Sequence, residues 1–197
     1  MVAHMARPQS PDYDKRREAI LVAAARLYAK RGFSGASIAD VANAAGTSKS
    51  LIYHYFPAKD DILHAVMAEH LDALVAAARE AQGTGAPDAN LRALTIAFMR
   101  HYVGAQDRHK VLLNELDNLT PAARQDVVAK QREMIAITEA ILAEIGQRAD
   151  ARVNAMLFFG MINWTHTWFD PAGPVMPEML ALRVVELMQK GLSPQAS

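Results

Sequence analysis

Apolar residues in this chain recur at intervals of three and four rather than two, and β-branched residues alternate over no useful length. That pattern predicts helices and no sheet. A first helix is predicted from about Asp12 to Lys30, with Ile20, Ala24, Leu27 and Tyr28 on one face and Gly32 ending it. Ser37 reads as the cap of a short second helix whose Ile38, Val41, Ala42 and Ala45 point inward, and Gly46 forces a break. Thr47 or Ser48 caps a short third helix, which Pro57 stops. A fourth helix is predicted from Lys59 to about Gln82, followed by the loop Gly83-Thr-Gly-Ala-Pro87. Asp88 reads as the cap of a helix reaching about Gly104, and Asp107 to Asp117 as a shorter helix. Thr120-Pro121 opens a long helix to about Ile145, since Pro is tolerated where the first N–H has no partner. The last two helices are predicted from about Asp150 to Phe169 and from Pro177 to about Gly191.

Two short helices separated by a glycine turn form a helix-turn-helix, whose second helix is free to enter a DNA major groove. Ile38, Val41, Ala42, Ile52 and Tyr55 are expected to pack on Leu27 and Phe33. Thr47, Ser48, Lys49, Ser50, Leu51, Tyr53 and His54 then fall on or near the outer face. Hydroxyls, one cation and two aromatic donors suit phosphate oxygens and base edges.

Charge sharpens the picture. The chain of 197 residues has 21 basic and 21 acidic groups. Residues 1–59, however, hold nine basic against four acidic, a net +5 that leaves −5 for the remainder. A basic first third suits a polyanion. At 51% hydrophobic residues the chain can bury a sizeable core. Cysteine is absent, excluding disulfide scaffolds, thiolate zinc sites and cysteine nucleophiles. No apolar run reaches the ~18 residues of a membrane span. The first eleven residues lack the pattern of a secretory signal, so no membrane partner and a cytoplasmic location are expected.

The segment from Arg16 to Met67 resembles the DNA-binding domain of the tetracycline-repressor-like (TetR/AcrR) transcriptional regulators. The resemblance rests on Ile20-Leu21-x-Ala-Ala-x-x-Leu27, Lys30-x-Gly-Phe33, Ser37-Ile-x-x-Val41-Ala42, Ala45-Gly46-x-Ser48-Lys49, Tyr53-His-Tyr-Phe56 and Lys59. It implies that Ser37, Thr47, Ser48, Tyr53 and Lys59 bind backbone phosphates, while Lys49, Ser50, Leu51 and His54 reach the groove. Ser50-Leu51-Ile52 stands where many members have Gly-Thr-Leu, so a thymine methyl contact is expected at Leu51. It further implies an all-α chain with a three-helix N-terminal helix-turn-helix domain and a six-helix effector-binding and dimerisation domain. The expected boundaries are 12–57 and 58–192, with disordered tails at 1–11 and 193–197.

The expected function is therefore a homodimeric repressor that binds a palindromic double-stranded DNA operator and is released by a hydrophobic small-molecule effector. The effector pocket is expected between the long helices, lined by Met99, Tyr102, Met134, Ile137, Phe158, Met161 and Trp164. Asn163-Trp164…Trp168-Phe169-Asp170…Gly173 resembles a subgroup that responds to acyl-CoA thioesters; Arg100, Arg108 and Lys110 are the basic candidates for the coenzyme's phosphates. Residues 155–169 are apolar on nearly every side, so one side is expected to line the pocket and another to meet a partner subunit. The last helix, with Val184 and Val185 at the seam, is expected to complete that interface. No cofactor is expected, and no metal, since neither paired Glu-x-x-His nor His-Glu-x-x-His occurs. The competing reading is an all-α small-molecule-binding protein or enzyme whose helix-turn-helix only packs.

Overall fold

The computed structural model describes residues 11–83, 85–146 and 148–192. The expected tails lie outside the described residues, apart from Pro11, which opens the first helix. Among the described residues the chain is helical throughout: α1 Pro11–Arg31, α2 Ile38–Ala44, α3 Lys49–Tyr55, α4 Lys59–Gln82, α5 Pro87–Gly104, α6 Gln106–Asn114, α7 Pro121–Ile145, α8 Ala151–Trp164 and α9 Pro177–Leu192.

Ile20, Leu21, Ala24 and Tyr28 of α1 meet Val41 and Ala42 of α2 and Ile52 of α3, all buried, with Leu27, Phe33, Ile38 and Tyr55 packed around them. This cluster runs without a break into the core beneath α4, where Ile62, Leu63, Val66, Met67, Leu71 and Leu74 are inaccessible. α4 lies against α5 and α7, α5 packs on α9, and α6 packs on α1. One continuous apolar interior therefore joins the helix-turn-helix to the six later helices.

Several expectations are corrected. α5 starts at Pro87, not at an Asp88 cap, because Pro fits the first turn, where no N–H partner is needed. Asp88 instead accepts a hydrogen bond from the Gln189 side chain at 2.8 Å, tying α5 to α9. The helix expected over Asp107 to Asp117 divides into α6 and a 3-10 turn at Leu116–Asn118. The one expected from Asp150 to Phe169 ends as α-helix at Trp164. There the hydroxyls of Thr165 and Thr167 donate to the carbonyls of Ile162 and Trp164, at 2.6 and 2.8 Å, and compete with the helix ladder. Val184 and Val185 are not at an outer seam. They are 5% and 2% exposed, because this face of α9 packs inward within the chain.

The apolar residues left outside fall elsewhere. Val153, Leu157, Gly160 and Trp164 follow one face of α8, and Met179, Leu182 and Leu187 lie on α9, all exposed. A stripe of this kind on two adjacent helices is larger than scattered surface apolar residues account for.

Candidate functional site

The turn between α2 and α3 depends on Gly46, whose φ of +64° is costly for a residue with a Cβ. Two backbone bonds close it, from Gly46 N–H to the Asn43 carbonyl and from Thr47 N–H to the Ala42 carbonyl. Ser37 caps α2 reciprocally: its hydroxyl oxygen accepts from Asp40 N–H at 3.2 Å, and the Asp40 carboxylate accepts from Ser37 N–H at 2.8 Å. The hydrogen bonds from Ser37, with Arg31 nearby, hold the Asp40 carboxyl below its usual range. Of the two candidate caps for α3, Ser48 takes the role, its Oγ accepting from Leu51 N–H at 3.1 Å. Thr47 is half-buried in the turn.

The two faces of α3 are chemically opposite. Ile52 is fully buried and Phe56 nearly so, with the Tyr55 ring against Tyr13 of α1, centroids 4.5 Å apart. Ser48, Lys49, Ser50, Tyr53 and His54 are exposed, and Leu51 is half-exposed beside them. Tyr53 presents 52% of its surface to solvent. His54 stands edge-on to both Tyr13 and Tyr55, which narrows the directions its ring can take. Arg16 of α1 joins Thr47 and Leu51 around a cleft of about 300 Å³. Sequence reading missed it, because its nearness to α3 depends on how α1 crosses the motif.

Lys59 and Ser37 are engaged differently from the phosphate roles the resemblance implies. The Lys59 ammonium donates to the Phe33 carbonyl and stands 3.9 Å from the centre of the Phe33 ring. A phosphate contact there requires this side chain to leave Phe33. The Ser37 hydroxyl is committed to Asp40.

Met99, Tyr102, Met134 and Phe158 are buried, and Ile137 and Met161 half-buried, all within or against the continuous core. Trp164 is 64% exposed and belongs to the outer stripe of α8, which corrects its assignment to the pocket. A cleft of about 350 Å³ lies between the α5–α6 junction and the segment that follows α8, and touches the predicted lining only at Tyr102. Its other walls include Val103, Gln106, Asp107, His109, Lys110, Thr165, His166, Phe169 and Asp170. Of the three basic candidates, Arg100 is paired with Glu178 and Arg108 with Glu18, so Lys110 is the one lining this cleft.

Behind the cleft is a polar pair that sequence reading overlooked. His70 Nε2 of α4 faces His109 Nδ1 of α6 at 3.3 Å, both rings are buried, and Tyr102 stacks on His109 with centroids 3.6 Å apart. Burial lowers both imidazoles, to about 4 for His70 and about 3 for His109, with His101 and Arg108 adding to it at His70, and His70 and His166 adding to it at His109. His109 Nε2 is buried and has no hydrogen-bond partner. The available signal was the placement of His70 between Val66 and Leu74 on the apolar face of α4.

Among the described residues, no three His, Cys, Asp or Glu side chains are grouped as a metal site requires, and no helix is long and apolar enough to cross a membrane.

Comparison with known proteins agrees with this architecture. Residues 20–66 match the family described as bacterial regulatory proteins of the tetR family, and residues 84–192 match the tetracyclin repressor-like C-terminal domain. The HTH-type transcriptional repressor KstR2 of Mycolicibacterium smegmatis is 25% identical, over 94% of this chain and 95% of its own length. The crystal structure of a TetR-family regulator from Bordetella parapertussis superposes with a TM-score of 0.85 at 38% identity, over 94% of this chain and 100% of that one. AibR, solved in complex with isovaleryl coenzyme A and operator DNA, superposes with a TM-score of 0.77 at 28% identity, over 87% of this chain and 97% of its own. With matched models over both the helix-turn-helix and more than half of the chain, this protein belongs to the TetR family of bacterial transcriptional regulators.

Proposed function

We propose that the chain is a homodimeric repressor that reads a palindromic DNA operator through α3 and releases it on binding a hydrophobic acyl-CoA thioester. The observation that carries the reading is the split character of α3, with its apolar side buried and Ser48, Lys49, Ser50, Tyr53 and His54 turned outward. Ser48, Lys49 and Tyr53, with Thr47 and a freed Lys59, serve backbone phosphates or the groove floor, while Ser50, Leu51 and His54 meet base edges. Dimerisation uses the exposed stripe of α8 and α9, where Gly160 admits close approach and Val153, Leu157, Trp164 and Leu187 supply apolar area.

The route from effector to DNA is short. On α6, Arg108 pairs with Glu18 of α1, His109 faces His70 of α4, and Lys110 borders the cleft. A ligand that displaces α6 therefore acts on α1 and α4 together, and α4 leads directly into the helix-turn-helix. Such a ligand must bind the DNA-incompetent form better, since equal affinity for both shifts nothing. The acyl-CoA class is supported by AibR, a relative solved with isovaleryl coenzyme A.

The test is an anisotropy titration of the purified protein on DNA flanking its own gene, followed by acyl-CoA thioesters, the free acids and unrelated apolar drugs. Saturable binding with release by thioesters supports the reading. Release by a neutral drug and by no thioester removes the acyl-CoA part, and no specific binding removes the regulator part.

A further inference from the structure

Deepening that reading, and resting on its effector cleft, we propose that the cleft is built to read a carbonyl oxygen, which His109 Nε2 binds while His70 fixes the His109 ring from behind. His109 lines the cleft and is 2% exposed, yet its Nε2 has no partner. A buried polar atom without a hydrogen bond is costly, and native structures keep few of them without a use. The other ring nitrogen is accounted for, since Nδ1 faces His70 Nε2 at 3.3 Å.

The tautomer of the pair sets which ligand group fits. Two neutral imidazoles share one proton across that contact. In the proposed site that proton is on His70 Nε2, so that His109 Nδ1 accepts it and His109 Nε2 carries a hydrogen as donor; the opposite tautomer would make Nε2 an acceptor and favour a hydroxyl or amide N–H on the ligand. An acceptor oxygen on a neutral apolar ligand satisfies that donor. Tyr102, stacked on the ring, holds its plane, and Val103 and Phe169 offer the apolar wall for the attached hydrocarbon. A carboxylate is the poorer fit, because two carboxylates, Asp107 and Asp170, line the same cleft against one lysine, Lys110. The ligand group is thus a ketone, ester or thioester carbonyl, and a pure hydrocarbon of the same shape leaves Nε2 unpaired.

The experiment uses the full chain and two matched pairs of probes: 2-octanone against 2-methyloct-1-ene, and hexanoyl-CoA against the thioether S-hexyl-CoA. Binding is followed by calorimetry, and the histidine side-chain ¹⁵N shifts are recorded with and without each probe. In the wild type the carbonyl member of a pair binds at least about tenfold tighter, as expected for a buried donor left unpaired by the other member. The His109 Nε2 resonance moves with the carbonyl compound alone. In His109→Phe, which fills the same space without the nitrogen, the preference falls to about one, and thermal melting confirms that the variant is folded.

Discrimination within the ketone pair, with neither coenzyme compound binding, supports the carbonyl site and removes the acyl-CoA effector. Operator release by hexanoyl-CoA and S-hexyl-CoA alike, with no preference in either pair, overturns the carbonyl site and leaves the acyl-CoA effector standing. A preference that survives in His109→Phe, or no binding by any of the four probes, also overturns the site.

Discussion

Gly35 has no room for a side chain: a Cβ there would lie 2.3 Å from the Arg31 carbonyl oxygen at the end of α1. Gly35→Ala is expected to lower stability by about 1–3 kcal/mol in urea melts, since backbone rather than a flexible side chain must move. Titration gives a second expectation. His70 and His109 hold pKa values of about 4 and about 3 in the fold, below the ordinary 6.5. The unfolded chain therefore takes up these protons first as pH falls. Their stabilisation is complete above about pH 6.5 and lost as pH falls through about 4 for His70 and about 3 for His109. His101 and Arg108, near His70, and His166, near His109, act in the same direction. The melting temperature should fall between pH 6.5 and 4.5, and His109→Phe should flatten part of that fall. The outer residues of α3 were legible one by one, because helical spacing separates Lys49, Tyr53 and His54 from Ile52 and Phe56. The inward turn of Lys59 was not legible, since it depends on the position of the Phe33 carbonyl in the folded turn.

α8 and α9 are where element-level reading reached its limit. An apolar helix announces that it must be covered, but its sequence does not say which side meets its own chain. The packing of α9 on α5 decides this, placing Val184 and Val185 inside and leaving Leu157 of α8 and Leu187 of α9 outside. The two faces should respond differently to charge. Val184→Asp buries an unpaired carboxylate in the chain's own core and should impair folding outright. Leu157→Asp should remain helical and soluble, sediment as a monomer and bind operator DNA far more weakly. A folded, dimeric Leu157→Asp protein with full affinity would place the subunit interface elsewhere. Where caps and prolines set the ends, as at Lys59, Pro121 and Ile145, the pattern located the helices closely. It failed after Trp164, where two threonine hydroxyls divert helix carbonyls.

At the scale of the whole molecule, the +5 of residues 1–59 against the −5 of the rest suits the proposed polyanionic partner of the N-terminal third. Operator affinity should therefore fall steeply with salt, and Lys49→Ala should reduce that slope by about one unit. Tyr53→Ala should weaken binding to all sequences alike, whereas changes at Leu51 or His54 should alter which sequences are preferred. The family was readable from residues 16–67, but the position of the cleft proposed for the effector was not, because it is assembled from α5, α6 and the segment that follows α8. In the proposed dimer, two α3 helices related by a two-fold axis read DNA together. Selection of binding sites from random double-stranded DNA by the full-length protein, read by sequencing, tests it most directly. An enriched palindrome with half-sites about 34–36 Å apart, or a multiple of that, is expected. Enrichment of an asymmetric site, or of no sequence at all, would contradict it.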